Sequence, residues 1–549
     1  MKNNTNRTVR IYDTTLRDGA QGEGISFSGP GKIKLALRLD QFGIDYIEGG
    51  YAGSNQKDMT FFHEIRKHPL KHARVAAFGS TRRAEINVAD DLNVAKLIEA
   101  GTPVTTIVGK SSRLHVEEVL RTTPEENLAM IADTIRYLKR QHKEVFFDAE
   151  HFFDGYKLDA AYALLTLRTA ADAGADGVVL CDTNGGCLPH EIFQITAAAV
   201  QAVSISVGIH THNDGGLAVA NSLEAVRAGA TQVQGTMNGY GERCGNANLC
   251  TIIPSLQLKM DCPVVAPASL RQLRPLALFV DDLVNLRPDG KSPFVGESAF
   301  SHKAGLHANA VQKNPVTMEH LEPELVGNKR RILVSEEAGT SSVLMKAAEL
   351  GLTVDKSSPQ VREVLEQLKS LEHRGYAFEA ADASFRILVQ KVLKRHKPFF
   401  ELDGFRVIIE KRGSDQPCVT EATVKLRVGG EVEHTVAEGD GPVNALDLAL
   451  RRALIRFYPE IAKVILIDFR VRILDPEEAT AAKTRVLIES GDGDESWGTV
   501  GVSENIIEAS WQALVDSVEY KLFREEDRRA LRKDRGAGKT GNGKGGKKA

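Results

Sequence analysis

Nothing in this chain pairs its cysteines: the six, at 181, 187, 244, 250, 262 and 418, include no CxxC, which argues against a disulfide framework and for free thiols in a reducing cytoplasm. No apolar run approaches the roughly 20 residues that span a bilayer, and the opening "MKNNTNRTVRIYD" holds no apolar signal core, so a cytoplasmic location without membrane contact is expected. Excess charge is lacking too. A net charge of −3 supplies no general attraction to nucleic acid or lipid. What is present is the composition of an ordinary globular protein, 549 residues with 42% hydrophobic and 26% charged, long enough for two or three domains.

Eight short apolar runs alternate with amphipathic stretches. The runs begin at Val9, Asp45, Arg74, Val104, Glu144, Gly177, Val207 and Thr231, and between them lie helical patterns such as "PEENLAMIADTIRYLKRQ" and "DAAYALLTLRTAADAG". Strands joined by helical crossovers form parallel sheets, and eight in about 240 residues is the count of a closed (β/α)8 TIM barrel. A doubly wound open sheet is the runner-up. The turn after the first run, "TTLRDGAQGEG", lacks the GxGxxG of dinucleotide-binding members of that class.

In a (β/α)8 barrel the chemistry lies at the C-terminal strand ends. The polar residues fall there: Arg17 and Asp18, Asp148 and Glu150, Asp182, Thr183 and Asn184, then "GIHTHNDGG" with His210 and His212, and Asn246 after the eighth strand. Alternation along a strand points His210 and His212 the same way. Alone, such a pair reads equally as a polar strand end or a metal site, and a single Asp or Asn reads first as a cap or turn. Sharing one rim, Asp18, His210 and His212 form a mixed oxygen and nitrogen ligand set, with Asn246 as a weak fourth. Three protein ligands leave positions open for substrate, as a catalytic metal requires. The absence of thiolate suits Mg, Mn or Zn. Cys244, close to Asn246, reads as a small buried apolar side chain.

The segments "DTTLRDGAQ", "HTHNDGGLAVANSLEAVRAGATQVQGTMNGYGERCGNANL" and "AFSHKAGLHANAVQKNP" resemble the 2-isopropylmalate synthase, homocitrate synthase and citramalate synthase family over residues 8 to 525, and the first motif region is most similar to the citramalate branch. The resemblance implies condensation of acetyl-CoA with a 2-oxo acid (pyruvate in that branch) and hydrolysis of the thioester. It implies a divalent metal, Mg or Mn before Zn, on Asp18, His210, His212 and Asn246. Arg17, Gln21 and Thr183 would bind substrate, and Arg17, Glu150 and His307 would be catalytic, His307 moving the proton of the acetyl methyl, with His302 the weaker candidate. One departure stands out: where relatives often carry Thr-Tyr-Glu, this chain has Thr317, Met318 and Glu319, and a thioether cannot donate a hydrogen bond.

The expected organisation is a catalytic barrel at 1–275, a helical linker subdomain at 276–395, an α+β regulatory and dimerising domain at 396–525, and a basic, Gly-rich disordered tail at 526–549. Within the third, "EHTVAEGDGPVNALDLALRRAL" and "SWGTVGVSENIIEASWQALVDSVEYKL" repeat strand, polar turn and helix. By resemblance this domain makes a homodimer and senses an amino acid, isoleucine for the citramalate branch and leucine for the isopropylmalate one. "GAGKT" in the tail lacks the first glycine and the preceding strand of a phosphate loop.

Overall fold

In the computed structural model, residues 8–53, 56–303, 305–333, 344, 359–378, 381–474, 482–493 and 495–537 are described. Strands β1 (Arg10–Asp13), β2 (Tyr46–Tyr51), β3 (Arg74–Ser80), β4 (Val104–Lys110), β5 (Glu144–Glu150), β6 (Gly177–Asp182), β7 (Ser206–Thr211) and β8 (Gln232–Gly235) pair in order, all parallel. β1 also pairs with β8, closing the barrel. Helices cover the outside, so both strand faces are buried and β6 reads as a continuous apolar run ending in Asp182.

Helix ends are written locally. Helix Gly29–Phe42 starts where the Ser28 hydroxyl accepts the Gly31 N–H and stops at Gly43, whose φ of 100° suits a residue without Cβ. Inside the barrel, Tyr12, Tyr46, Ala76, Val104 and Phe146 form a separate buried cluster. Tyr12 and Tyr46 stack at 5.6 Å, with the Phe146 ring edge-on to both. This aromatic plug fills the barrel interior. One residue pair further along the strands, the inward positions become polar: Glu48 follows Tyr46, and Asp148 follows Phe146.

The described residues divide into two compact units, 1–300 with 321–330, and 301–320 with 331–549. The second contains two three-stranded antiparallel sheets, β11 (Glu401–Glu410), β12 (Val419–Val428) and β13 (Glu431–Gly439), then β14 (Ile465–Ile473), β15 (Thr484–Gly491) and β16 (Ser496–Ser503); a short parallel pair, β9 (Ser301–His302) and β10 (Arg331–Ile332), precedes them. Each sheet is followed by a helix, Pro442–Leu454 and Ile506–Ala537, the repeat expected from sequence. Ala422, Val424 and Leu426 of β12 share a core with Leu446, Leu450 and Leu454 of the first helix. One expectation is corrected. The last helix runs through Ala537, so the first part of the segment expected as a disordered tail is helical; residues 538–549 lie outside the described residues. Glu525 bonds Lys521 and Arg528 at helical spacing, and such pairs extend a helix through charged sequence.

Among the described residues, no helix is long and apolar enough to cross a membrane.

Candidate active site

The rim cluster is built on Arg17. Its Nε donates to Glu48 Oε2 and its Nη1 to Asp18 Oδ1, each at 2.6 Å, while the guanidinium lies 3.9 Å from the centre of the Phe78 ring. Burial works against its charge, but Asp18 and Glu48 outweigh burial and hold Arg17 above its ordinary value. Burial likewise pushes Asp18 up, and Arg17, then His210 and His212, more than offset it. Arg17 therefore remains cationic and Asp18 ionised. Burial raises Glu48. Its second oxygen accepts from the Tyr12 hydroxyl at 2.9 Å, anchoring the cluster to the plug.

His210 and His212 do share a side. His210 is the last residue but one of β7, His212 lies just beyond the strand in a backbone bridge with Asn246, and their Nε2 atoms stand 3.3 Å apart. His210 Nε2 is 3.4 Å from Asp18 Oδ2. On its other side, His210 Nδ1 is 2.9 Å from Gln234 Oε1, and Gln234 Nε2 donates to Asp148 Oδ1 at 3.1 Å. Because an amide oxygen can only accept, His210 carries its proton on Nδ1 and turns a lone pair on Nε2 toward Asp18 and His212. The Gln234–Asp148 bond joins β8 to β5, which are not neighbours, so it crosses the barrel interior. Burial, then His210, pushes His212 down to about 3, and burial pushes Asp148 well above the usual carboxylate range, with Glu48 adding to the shift.

Three buried atoms here have no hydrogen-bond partner: Asp18 Oδ2, His212 Nδ1 and Asn246 Oδ1. A carboxylate oxygen facing an imidazole lone pair is repulsive until something positive lies between them. Ligand atoms about 2.1 Å from one cation stand about 3 to 3.4 Å apart, the range of the Asp18–His210 and His210–His212 contacts. The donor set thus fits a divalent cation. Its contacts form an open arc, and among the described residues no three His, Cys, Asp or Glu side chains close into a preformed cage.

The other expected residues lie as follows. Gln21 is exposed and, with Arg17, Tyr51 and Lys57, lines a cavity of about 240 Å³ at the β1 and β2 ends. Glu150 ends β5 and pairs with Lys110 at the end of β4. The Thr183 hydroxyl accepts the His151 N–H at 2.9 Å. His307 is exposed on helix Gly305–Lys313 of the second unit, where His302 Nε2 bonds Glu319 Oε1 at 3.0 Å and Met318 is exposed. Glu48 and Gln234 received no role from sequence; the available signal was a lone carboxylate inside "YIEGGY" for Glu48, whereas "QVQG" holds two glutamines and does not single out Gln234. Cys244, expected to be buried, is exposed.

Barrel, polar rim and appended sheet domain together define an HMGL-like barrel enzyme with a LeuA-type domain. Residues 8–280 match the HMGL-like family, 294–376 the homocitrate synthase post-HMGL domain-like family, and 379–522 the LeuA allosteric (dimerisation) domain. The chain is 54% identical to the (R)-citramalate synthases of Geobacter sulfurreducens and Aquifex aeolicus, over 94% of its length and 98% of theirs. It is 31% identical to the 2-isopropylmalate synthase of Methanocaldococcus jannaschii, covering 94% of this chain and 95% of that one. The chain belongs to this family of acyltransferases, on its citramalate synthase side.

Proposed function

We propose that the protein condenses acetyl-CoA with pyruvate and hydrolyses the thioester, releasing CoA and citramalate, in the route to isoleucine. The observation that carries this reading is the buried arc of Asp18, His210 and His212 beside a permanent cation, Arg17, at the barrel rim. A divalent metal held by Asp18, His210 and His212, with Asn246 as a further oxygen donor, supplies Lewis acidity that polarises the keto oxygen when bound. Carboxylate, imidazole and amide oxygen without thiolate suit Mg, Mn or Zn, and the family resemblance puts Mg or Mn before Zn.

The chain's own groups do the rest. Arg17, tied down by Asp18 and Glu48, stabilises negative charge as it develops on the reacting oxygens, and its fixed position means little reorganisation is needed. The Thr183 hydroxyl already accepts one backbone N–H, so its proton is free to donate to the carboxylate of the oxo acid. Gln21, on the cavity beside Arg17, contributes to substrate binding. Glu150, restrained by Lys110, orients the substrate or moves a proton. His307 is the proposed base for the acetyl methyl, and with methionine at 318 the acid assistance of a tyrosine is either unfilled or supplied by another group.

We assign 1–275 to catalysis, 276–395 to a linker subdomain and 396–525 to a regulatory, dimerising domain sensing isoleucine. The edge strands β11 and β14 support a homodimer: Ile408, Ile409, Ile465, Ile467, Val471 and Ile473 are all exposed, and apolar strand edges are otherwise a liability.

The test is release of free CoA thiol from acetyl-CoA with pyruvate, 2-oxoisovalerate or 2-oxoglutarate, with and without EDTA. Pyruvate-dependent release abolished by EDTA is expected. Preference for 2-oxoisovalerate moves the assignment to isopropylmalate synthesis, and release indifferent to EDTA removes the metal.

A further inference from the structure

A second cluster lies at the ends of β4 and β5, outside the metal arc. The rings of His115 and His151 stack with centroids 3.7 Å apart and planes 13° from parallel. His151 immediately follows Glu150 and has φ 56° and ψ 33°, a left-handed conformation that a residue with a Cβ adopts only where its surroundings impose it. Its backbone N–H is the donor to the Thr183 hydroxyl. This one strained residue therefore sets the direction of Glu150 and occupies an acceptor position of Thr183.

No close hydrogen bond from either ring's Nδ1 holds the turn. Nδ1 of both His115 and His151 is buried without a partner, and the nearest carboxylates to His151, Glu150 and Asp154, are each 3.9 Å away. What holds it is close packing. Ser111 N donates to Glu150 O at 3.1 Å, and Gly155 approaches Ser111 so closely that a Cβ there would stand 2.4 Å from the Ser111 carbonyl. The His115 ring closes the stack from the point where helix Arg113–His115 gives way to a π turn, Val116–Leu120. Burial and then His151 push the His115 imidazole below its ordinary value, so it stacks as a neutral ring.

We propose that His115 is a positioning residue for the acyl-transfer site: its ring clamps His151 in the left-handed turn that presents Glu150 and leaves the Thr183 hydroxyl proton free for substrate. The proposal rests on the function proposed above. His115→Ala is expected to lower kcat/KM for the oxo acid by about tenfold or more while KM for acetyl-CoA and the melting temperature stay near wild type. His115→Phe keeps a flat ring and is expected to recover activity to within about threefold of wild type. His151→Gly is expected to outperform His151→Ala, because glycine takes the left-handed turn unaided. Wild-type constants in His115→Ala, no rescue by phenylalanine, or His151→Ala matching His151→Gly each overturns the clamp. Should the wild type turn over no 2-oxo acid, the functional reading fails separately. The clamp is then judged on the crystal structure of His115→Ala, which supports it if residue 151 leaves the left-handed region and overturns it if residue 151 stays.

Discussion

Asp18 and Arg17 are adjacent in sequence but divide the work of the rim, one as an anionic ligand and the other as a fixed cation. Asp18→Asn keeps the size and removes the charge that Arg17, His210 and His212 stabilise. Turnover is expected to fall by two or more orders of magnitude, as for loss of a metal ligand or a fixed charge at the reacting centre, with circular dichroism and melting temperature close to wild type; near-normal turnover would remove Asp18 from the metal site. Arg17→Lys tests the fork. A single ammonium cannot reproduce two donors aimed at Glu48 and Asp18, so kcat should drop about 100-fold, and a lysine enzyme at full rate would mean that charge alone suffices. Gln234 acts one step behind. Replacing it with leucine frees the His210 tautomer, and a metal titration of activity should require about 10 to 100 times more metal, the usual cost of losing a hydrogen-bond partner to a ligand.

At the scale of elements, the last helix carries an acid in an unfavourable setting. Asp516 accepts from the Ser384 hydroxyl at 2.6 Å, yet burial pushes its carboxyl up to about 6. A carboxyl raised in the folded state and ordinary in the unfolded one binds more protons when folded. Stability of the second unit from this group is therefore fully present below about pH 4 and is lost as pH rises through 6, amounting to at most about 3 kcal/mol. Asp516→Asn still accepts the serine proton and cannot ionise. Melting of the variant should vary less between pH 4 and 7 and be higher than wild type at pH 7; parallel curves for the two proteins would refute the assignment. Elements were also the most legible layer of the sequence. The run "EVFFDAE" is β5 residue for residue, because a buried parallel strand is a short apolar run ended by polar residues and nothing else nearby imitates it. The final helix was misread past residue 525, since a charged, glycine-terminated segment looks solvated unless its ion pairs are followed at helical spacing.

For the whole molecule, the exposed isoleucines of β11 and β14 predict association. Ile409→Asp with Ile467→Asp should shift sedimentation from dimer to monomer at micromolar concentration, since burying two unpaired carboxylates costs several kcal/mol; an unchanged dimer would move the interface elsewhere. The sequence by itself determined the barrel, its eight strands, the repeated sheet and helix units and the types of residue at the rim, because periodicity and strand-end position are local properties of the chain. Only the tertiary structure decided that Glu48 and Gln234 reach Arg17 and His210, that burial pushes Asp148 upward, and that His115 lies flat on His151. Those relations join strands and loops 24 to 86 residues apart, and no local pattern encodes which inward side chains meet until the barrel closes and excludes water from between them.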